Sequence, residues 1–274
     1  MNVCYSYNKE GGKVERYENH IKSTVAAWSV IKPYYEKVLD RVLGKLEFDP
    51  IAVALAIHDL GKLTNAYEMS PRNFRHEIFS GYAMYKILGK RPEDVKMILS
   101  LAVTLHHENI LMGGIYVGEL GERYLTISNI RRILDTFKDK LKPNCDVKQT
   151  FNELLKNFLV RKGLINDEFV NDIMEFIDHW LNDGIKIDDI IYSIKDMIAW
   201  ASVGPLEDML IRRAKVASVL HLITLADSIA ANVLRSGDMK DEGNWIVERV
   251  SKGAEPVDIN EIKDAINKVM GNAP

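Results

Sequence analysis

Histidine and aspartate occur in places where helices are otherwise apolar. The clearest case is the segment DPIAVALAIHDLGK, in which His58 and Asp59 follow seven consecutive apolar residues. Asp49 is a good N-cap, Pro50 suits the first helical turn, and Gly61 suits the left-handed residue that ends a helix. A helix that is apolar on every side is buried, and a buried carboxylate without a partner is costly. Asp59 therefore requires a positive charge nearby.

The same combination recurs in other predicted helices, in the segments NHIKSTVAAW, RHEIFSGYAMYKIL, MILSLAVTLHHEN and VLHLITLADSIAANVL. Imidazole and carboxylate are the ligands of divalent transition metals. Neighbouring helical residues diverge by about 100°, so His58 and Asp59 can serve two ions, and the two oxygens of an aspartate can bridge them. Two ions about 4 Å apart activate water and bind phosphate. The candidate ligands are His20, His58, Asp59, His76, His106, His107 and Asp227.

Length, charge and cysteine content narrow the class of protein. The chain has 274 residues, 47% of them hydrophobic, and a formal net charge of −3, which gives no overall attraction for nucleic acid. Cys4 and Cys145 lack metal-ligand spacing, and no disulfide is expected. No stretch of about 18 apolar residues and no secretory leader pattern are recognised, so we expect a cytoplasmic protein without a membrane span. The sequence contains no Walker A motif of the kind that ATP-driven motors use.

Helical periodicity dominates, so the predicted fold class is all-α, with VCYSY near the start as one short strand. We expect one domain over 1–240, a more polar helical insertion over 109–205, and a peripheral segment over 241–274. Helices are predicted near 17–31, 50–60, 73–88, 93–107, 126–140, 147–162, 167–181, 188–201, 206–235 and 258–269.

The order of the motifs resembles the HD phosphohydrolase superfamily. Within it, the sequence is similar to the HD nuclease of type I CRISPR interference, in the stand-alone version whose helicase is a separate protein. The resemblance implies an HD-domain helical core. The motifs lie between residues 20 and 230 and comprise His20, His58-Asp59-Leu60-Gly61-Lys62, Arg75-His76-Glu77 with Ser80, His106-His107 and Ala226-Asp227-Ser228.

The resemblance also implies a site with two divalent ions, bridged by Asp59. Its ligand set is rich in nitrogen, which favours Mn, Fe, Ni or Co over Mg. Zinc stays an alternative, although the predicted coordination of each ion, four protein ligands together with water, exceeds its usual four ligands. The implied ligands of one ion are His20, His58, Asp59 and Asp227, and those of the other are Asp59, His76, His106 and His107.

The implied reaction is hydrolysis of phosphodiester bonds by an activated water molecule, without a protein nucleophile. Asp59, Lys62 and Asp227 are the candidate catalytic residues. Lys62 is interpreted equally well as a phosphate contact and as an exposed lysine after a helix end. Asp227 can help to orient the water.

The implied substrate is single-stranded DNA, with some cleavage of RNA, and the implied partners are a separate CRISPR helicase subunit and the interference complex. Arg72 and Arg75 flank His76 and can guide a nucleic-acid backbone. Tyr116, Arg123 and Tyr124, in the loop GGIYVGELGERYLT, can contact bases. An ordinary surface loop is the simpler interpretation of that segment.

Two other functions stay open. One is an HD phosphohydrolase acting on nucleotides or cyclic dinucleotides, although the GYP-type motif of cyclic dinucleotide enzymes does not follow His106-His107. The other is a subunit without enzymatic activity, whose metals are structural and whose helical insertion docks to a helicase. The complete ligand set favours an enzyme over this last interpretation.

Overall fold

The structure is a computed structural model that describes residues 2–9, 12–107, 126–236, 253 and 256–271. Apart from one β-hairpin, the regular structure of the described residues is helical, as predicted. The strands are β1 (Tyr5–Lys9) and β2 (Gly12–Arg16). The helices are α1 (Tyr17–Leu43), α2 (Pro50–Ile57), α3 (Asn65–Met69), α4 (His76–Ile87), α5 (Glu93–Leu105), α6 (Ile127–Thr136), α7 (Val147–Leu154), α8 (Asp167–Asn182), α9 (Ile187–Ser202), α10 (Leu206–Ser236) and α11 (Ile259–Gly271).

Short 3-10 and π segments join several of the helices. The 3-10 helices are Leu60–Leu63, Leu88–Lys90 and Lys138–Lys140. A π-helical turn, Leu155–Val160, continues α7.

Helix α2 forms the centre of the core because it has no polar face. Every residue from 51 to 57 is fully buried. Asp49 caps the helix by accepting hydrogen bonds from the backbone N–H groups of Ile51 and Ala52. Helices α1, α4, α5 and α10 pack around α2. The chain therefore carries His58 and Asp59, which follow α2, directly into the protein interior.

Helix α10 is long and apolar. By length and composition alone, Leu206–Leu234 qualifies as a membrane-spanning helix. The sequence analysis predicted no such stretch. Helix α10 packs against α1 and α5 and buries Leu222, Ile223 and Ile229, which is the behaviour of a core helix.

The helices of the predicted insertion lie against the core. Helices α8 and α9 pack on α4, and α6 packs on α9. Near the end of the chain, α11 packs along α1 and buries Ile262 and Ile266. The predicted boundary between residues 240 and 241 lies outside the described residues, so the division into domains stays a prediction.

A disulfide joins Cys4 to Cys145, with Cα atoms 5.2 Å apart, and the prediction of no disulfide is wrong. Two backbone hydrogen bonds hold the same segment. Tyr17 N–H donates to the Cys4 carbonyl at 3.0 Å, and Asp146 N–H donates to the Asn2 carbonyl at 3.0 Å. A separation of 141 residues gives no sign of proximity, and the prediction had assumed a reducing compartment.

Gly61 has a different role from the one predicted. It lies in the 3-10 helix after Asp59 and has no positive φ. A Cβ atom placed on Gly61 would lie 2.2 Å from the carbonyl oxygen of His76. Glycine is therefore required because the backbone at the start of α4 approaches this turn closely, and that approach brings His76 to Asp59.

Gly61→Ala is expected to destabilise the fold by about 3 kcal/mol or more, since backbone atoms cannot move aside cheaply. Gly89→Ala is the matched control, because nothing lies within 4 Å of a Cβ at Gly89; its effect should stay within about 0.5 kcal/mol. Urea denaturation of both variants gives the comparison. Equal midpoints for the two variants would show that the close approach is not rigid.

Candidate metal centre

The end of α2 delivers an imidazole and a carboxylate with fixed orientations. His58 is the C-terminal cap of α2, and its Nδ1–H donates to the Leu55 carbonyl at 2.7 Å. This bond fixes the tautomer, so the lone pair of His58 lies on Nε2. Asp59 follows in a non-helical conformation, with φ −103° and ψ 7°. Both side chains are completely buried.

Four other helices bring the remaining candidates to the same place. His20 comes from the start of α1, His76 from the start of α4, His106 and His107 from the end of α5, and Asp227 from α10. The seven candidates fall into two groups in which the donor atoms lie within 4.8 Å of one another. These groups are Asp59, His76, His106 and His107, and His20, His58 and Asp227.

Asp59 lies between the two groups and directs one oxygen towards each. Its Oδ2 lies 3.2 Å from His20 Nε2 and 3.6 Å from His58 Nε2. Its Oδ1 lies 3.1 Å from His76 Nε2 and 3.7 Å from His106 Nε2. This is the geometry of a carboxylate that can bridge two cations.

Unsatisfied nitrogen atoms test whether the site fits metal ions. The Nε2 atoms of His20, His58 and His106 are buried and form no hydrogen bond. Asp227 Oδ1 nevertheless lies 3.1 Å from His20 Nε2 and 3.5 Å from His58 Nε2. Buried polar atoms normally have a partner. Three such nitrogen atoms around two carboxylates are the donor set of divalent transition metals, so the residues present fit them.

The charges at the site are strongly coupled. Burial opposes ionisation of Asp59, but Lys62 and His58 hold its pKa well below the usual value. Lys62 Nζ donates to Asp59 Oδ2 at 2.7 Å. Burial also opposes the charge on Lys62, but Asp59 raises its pKa. Lys62 is only 8% exposed, so its interpretation as an exposed lysine after a helix end is wrong.

His76 and His20 differ in pKa, and therefore in whether a metal ion must displace a proton from the ring. Burial lowers the pKa of His76. Burial acts in the same direction on His20, but the nearby carboxylates of Asp227, Asp59 and Glu15 outweigh it and raise the pKa of His20 well above its ordinary value. A metal ion must therefore displace a proton from His20.

We expect the affinity for Mn²⁺ in the group with His20 to fall by about tenfold for each pH unit below the pKa of His20, because protons compete with the ion. The group with His76 should change less with pH, because burial lowers the pKa of His76. Calorimetric titrations at pH 6, 7 and 8 measure both. Affinities independent of pH at every step would contradict this assignment of protons.

Other residues support the candidate ligands. Ser80 Oγ accepts a hydrogen bond from Gly61 N–H at 3.0 Å, which ties α4 to the turn after Asp59. Glu77 pairs with Arg75 and lies 3.5 Å from His76 Nδ1. Ser80, Glu77 and Arg75 belong to the recognised motifs. Glu15 does not, yet His20 Nδ1–H donates to Glu15 Oε1 at 2.8 Å; no periodicity or spacing in the sequence indicates this contact.

Exposure differs among the described residues of the site. His107 is exposed and Asp227 is 15% exposed, while His20, His58 and Asp59 are at most 1% exposed. Solvent therefore reaches His107 and Asp227 more readily than the bridging carboxylate.

The residues considered as nucleic-acid contacts are placed only in part. Arg72 is exposed and Arg75 half-buried. Tyr116, Arg123 and Tyr124 lie outside the described residues.

Comparisons with known proteins identify relatives of the chain. None of the known family models matches the sequence. It is 27% identical to the "CRISPR-associated endonuclease Cas3-HD" of Thermoproteus tenax, over 83% of this chain and 90% of that protein. It is 30% identical to the protein of the same name from Methanocaldococcus jannaschii, over 58% of this chain and 70% of that one.

A longer protein matches as well. The "CRISPR-associated nuclease/helicase Cas3" of Methanothermobacter thermautotrophicus is 25% identical over 62% of this chain, which covers 20% of that protein. The ordered motifs, the gathered histidines and aspartates, and these similarities agree, and the chain belongs to the family of CRISPR-associated Cas3-HD endonucleases.

Proposed function

We propose that this chain hydrolyses the phosphodiester bonds of single-stranded DNA, at two divalent metal ions bridged by Asp59, in CRISPR interference. RNA is the secondary substrate. The observation that carries the proposal is the position of Asp59, with Oδ1 near His76 and Oδ2 near His20. One carboxylate facing two sets of imidazoles is an arrangement suited to two cations and to a phosphate group between them.

The bound ions would supply an activated water molecule and neutralise charge on the phosphate oxygens. The nitrogen-rich donors favour Mn, Fe, Ni or Co over Mg. The protein residues hold these ions and exclude bulk water. His58 and His106 are oriented by Nδ1–H bonds to the Leu55 and Val103 carbonyls, the latter at 2.6 Å.

Lys62 and Asp227 are the residues placed to act on the substrate. The ammonium group of Lys62 lies beside the bridging carboxylate, so it can donate to a non-bridging phosphate oxygen. Asp227 is the more exposed of the two aspartates, so its carboxylate can accept a hydrogen bond from the attacking water and orient it.

A separate helicase and the interference complex are the proposed partners. The aligned residues cover 90% of the Thermoproteus tenax protein but 20% of the protein named a nuclease/helicase. The similarity to a protein named a nuclease/helicase supports a helicase as the partner of this nuclease. We propose the cytoplasm as the location, because a nuclease of CRISPR interference would meet its DNA there. A disulfide is uncommon in that compartment except in hyperthermophiles.

The deciding experiment compares substrates and metals with the purified chain. Labelled linear single-stranded DNA, circular single-stranded DNA, duplex DNA, RNA and mononucleotides are each incubated with EDTA, Mg²⁺, Mn²⁺, Ni²⁺ or Co²⁺. We expect cleavage of both single-stranded DNA forms with Mn²⁺, Ni²⁺ or Co²⁺, and none with EDTA. Cleavage of the circle shows internal cutting. Asp59→Ala measures contaminating nuclease.

Other results would overturn the proposal in defined ways. Hydrolysis confined to mononucleotides would indicate a nucleotide phosphohydrolase. Intact substrates with every metal, together with tight binding to a helicase, would indicate a docking subunit. Activity with EDTA equal to that with Mn²⁺ would exclude the metal-dependent reaction.

A further inference from the structure

One side chain of the β-hairpin, that of Glu15, contacts a candidate ligand of the metal centre. Glu15 is near the end of β2, and its Oε1 accepts a hydrogen bond from His20 Nδ1–H at 2.8 Å. The two side chains are only 8% and 1% exposed. A buried hydrogen bond between an imidazole and a carboxylate is charge-assisted and strong. The opposite nitrogen of the same ring, Nε2, is the one that faces Asp59 and Asp227.

His20 differs in this respect from the other histidines described at the site. His58 and His106 donate Nδ1–H to backbone carbonyls of their own helices. His76 Nδ1 lies 3.5 Å from Glu77, too far for a good hydrogen bond. A carboxylate partner fixes the ring and raises the basicity of the other nitrogen more than a carbonyl does. His20 is therefore prepared to be a strong ligand.

The position of Glu15 depends on the hairpin and its attachments. In β1, Ser6 Oγ–H donates to the Glu15 carbonyl at 3.3 Å. The backbone hydrogen bond between Tyr17 and Cys4 and the disulfide from Cys4 to Cys145 fasten the hairpin to the helical body. The hairpin thus holds Glu15 against His20 from outside α1.

We propose that Glu15 is a positioning residue of the nuclease site, which orients His20 and strengthens its bond to the ion shared with His58 and Asp227. This inference rests on the proposed metal-dependent function. It adds the hairpin, which precedes all the recognised motifs, to the functional part of the chain. Loss of an outer carboxylate of this kind typically weakens metal binding by about 10-fold to 100-fold.

The test is calorimetric titration of the metal-free full chain with Mn²⁺, for the wild type, Glu15→Gln, Glu15→Ala and Glu18→Gln. Glu15→Gln keeps the shape of the side chain and removes its charge. Glu18→Gln is the matched control, because Glu18 lies in the first turn of α1 but pairs with Lys22 instead of His20. Circular dichroism confirms that each variant is folded.

We expect Glu15→Gln to weaken one binding step about tenfold, Glu15→Ala to weaken the same step further, and Glu18→Gln to match the wild type. The absorption of Co²⁺ bound to the weakened site should shift as well, which a purely structural change elsewhere would not cause. Wild-type affinities in Glu15→Gln would overturn the inference and leave the nuclease proposal intact. Equal weakening of every step in Glu15→Gln would also overturn it, since that indicates general damage. A wild-type chain that binds no ion would overturn both.

Discussion

Asp59→Asn is expected to lower the rate of single-stranded DNA cleavage by at least about 1,000-fold. The amide removes the negative charge and one of the two oxygens that face the groups with His20 and His76. In the proposed arrangement, both ions would lose the ligand that they share. Calorimetry with Mn²⁺ should show fewer ions bound, and initial rates measured with saturating Mn²⁺ should show the loss of turnover.

A control must separate lost chemistry from lost stability, because Asp59→Asn also leaves Lys62 buried without its carboxylate. Asp172→Asn is suitable. Asp172 is 7% exposed and pairs with Lys90 and Arg91. These two basic residues follow the C-terminal end of α4, whereas His76 lies at its N-terminal end. Asp172→Asn should lose stability and keep wild-type cleavage when folded. Cleavage by folded Asp59→Asn within tenfold of the wild type would contradict the bridging role.

Mn²⁺ is expected to raise the melting temperature of the metal-free protein. The native state gathers seven donor groups that the unfolded chain disperses, so metal binding favours folding. At about 100 times the dissociation constant, one ion contributes about 2.7 kcal/mol. For a chain of this size that corresponds to an increase of about 5–10 °C. Thermal denaturation followed by circular dichroism, with increasing Mn²⁺, measures it.

A comparison of different ions tells binding at the candidate metal centre from binding elsewhere on the protein. Mg²⁺ prefers oxygen donors and retains its water ligands, so it should raise the melting temperature less than Mn²⁺ or Co²⁺ at equal concentration. In Asp59→Asn the increase with Mn²⁺ should largely disappear. Equal shifts with all three ions, or a full shift in the variant, would mean that the ions bind elsewhere on the protein.

The buried positions of His58 and Asp59 were predictable because these residues break local rules. His58 and Asp59 are polar residues at the end of a helix with no polar face, and the structure places both in a fully buried position. Asp49 and Pro50 marked the start of α2 correctly. Hydrophobic periodicity and capping act within a few residues, so the sequence carries them directly.

Features that depend on distant parts of the chain were not predictable. Helix α1 was expected to end at residue 31, before Pro33, but it continues to Leu43 because Leu39 and Leu43 are buried in the core. This packing offsets the backbone hydrogen bond that proline removes. The contact of Glu15 with His20 depends on a hairpin of which only β1 was predicted. Gly61 was expected to end α2 in a left-handed conformation, and the close approach of the α4 backbone that requires glycine there was not predicted.

The disulfide between Cys4 and Cys145 makes a covalent ring of the intervening chain. Six of the seven candidate ligands lie within this ring, and only Asp227 lies outside it. A single break of the backbone anywhere inside the ring would leave the two fragments joined through sulfur. The nuclease can therefore be cut once between these cysteines and still keep its imidazoles on one connected molecule for as long as the sulfur bridge stays oxidised.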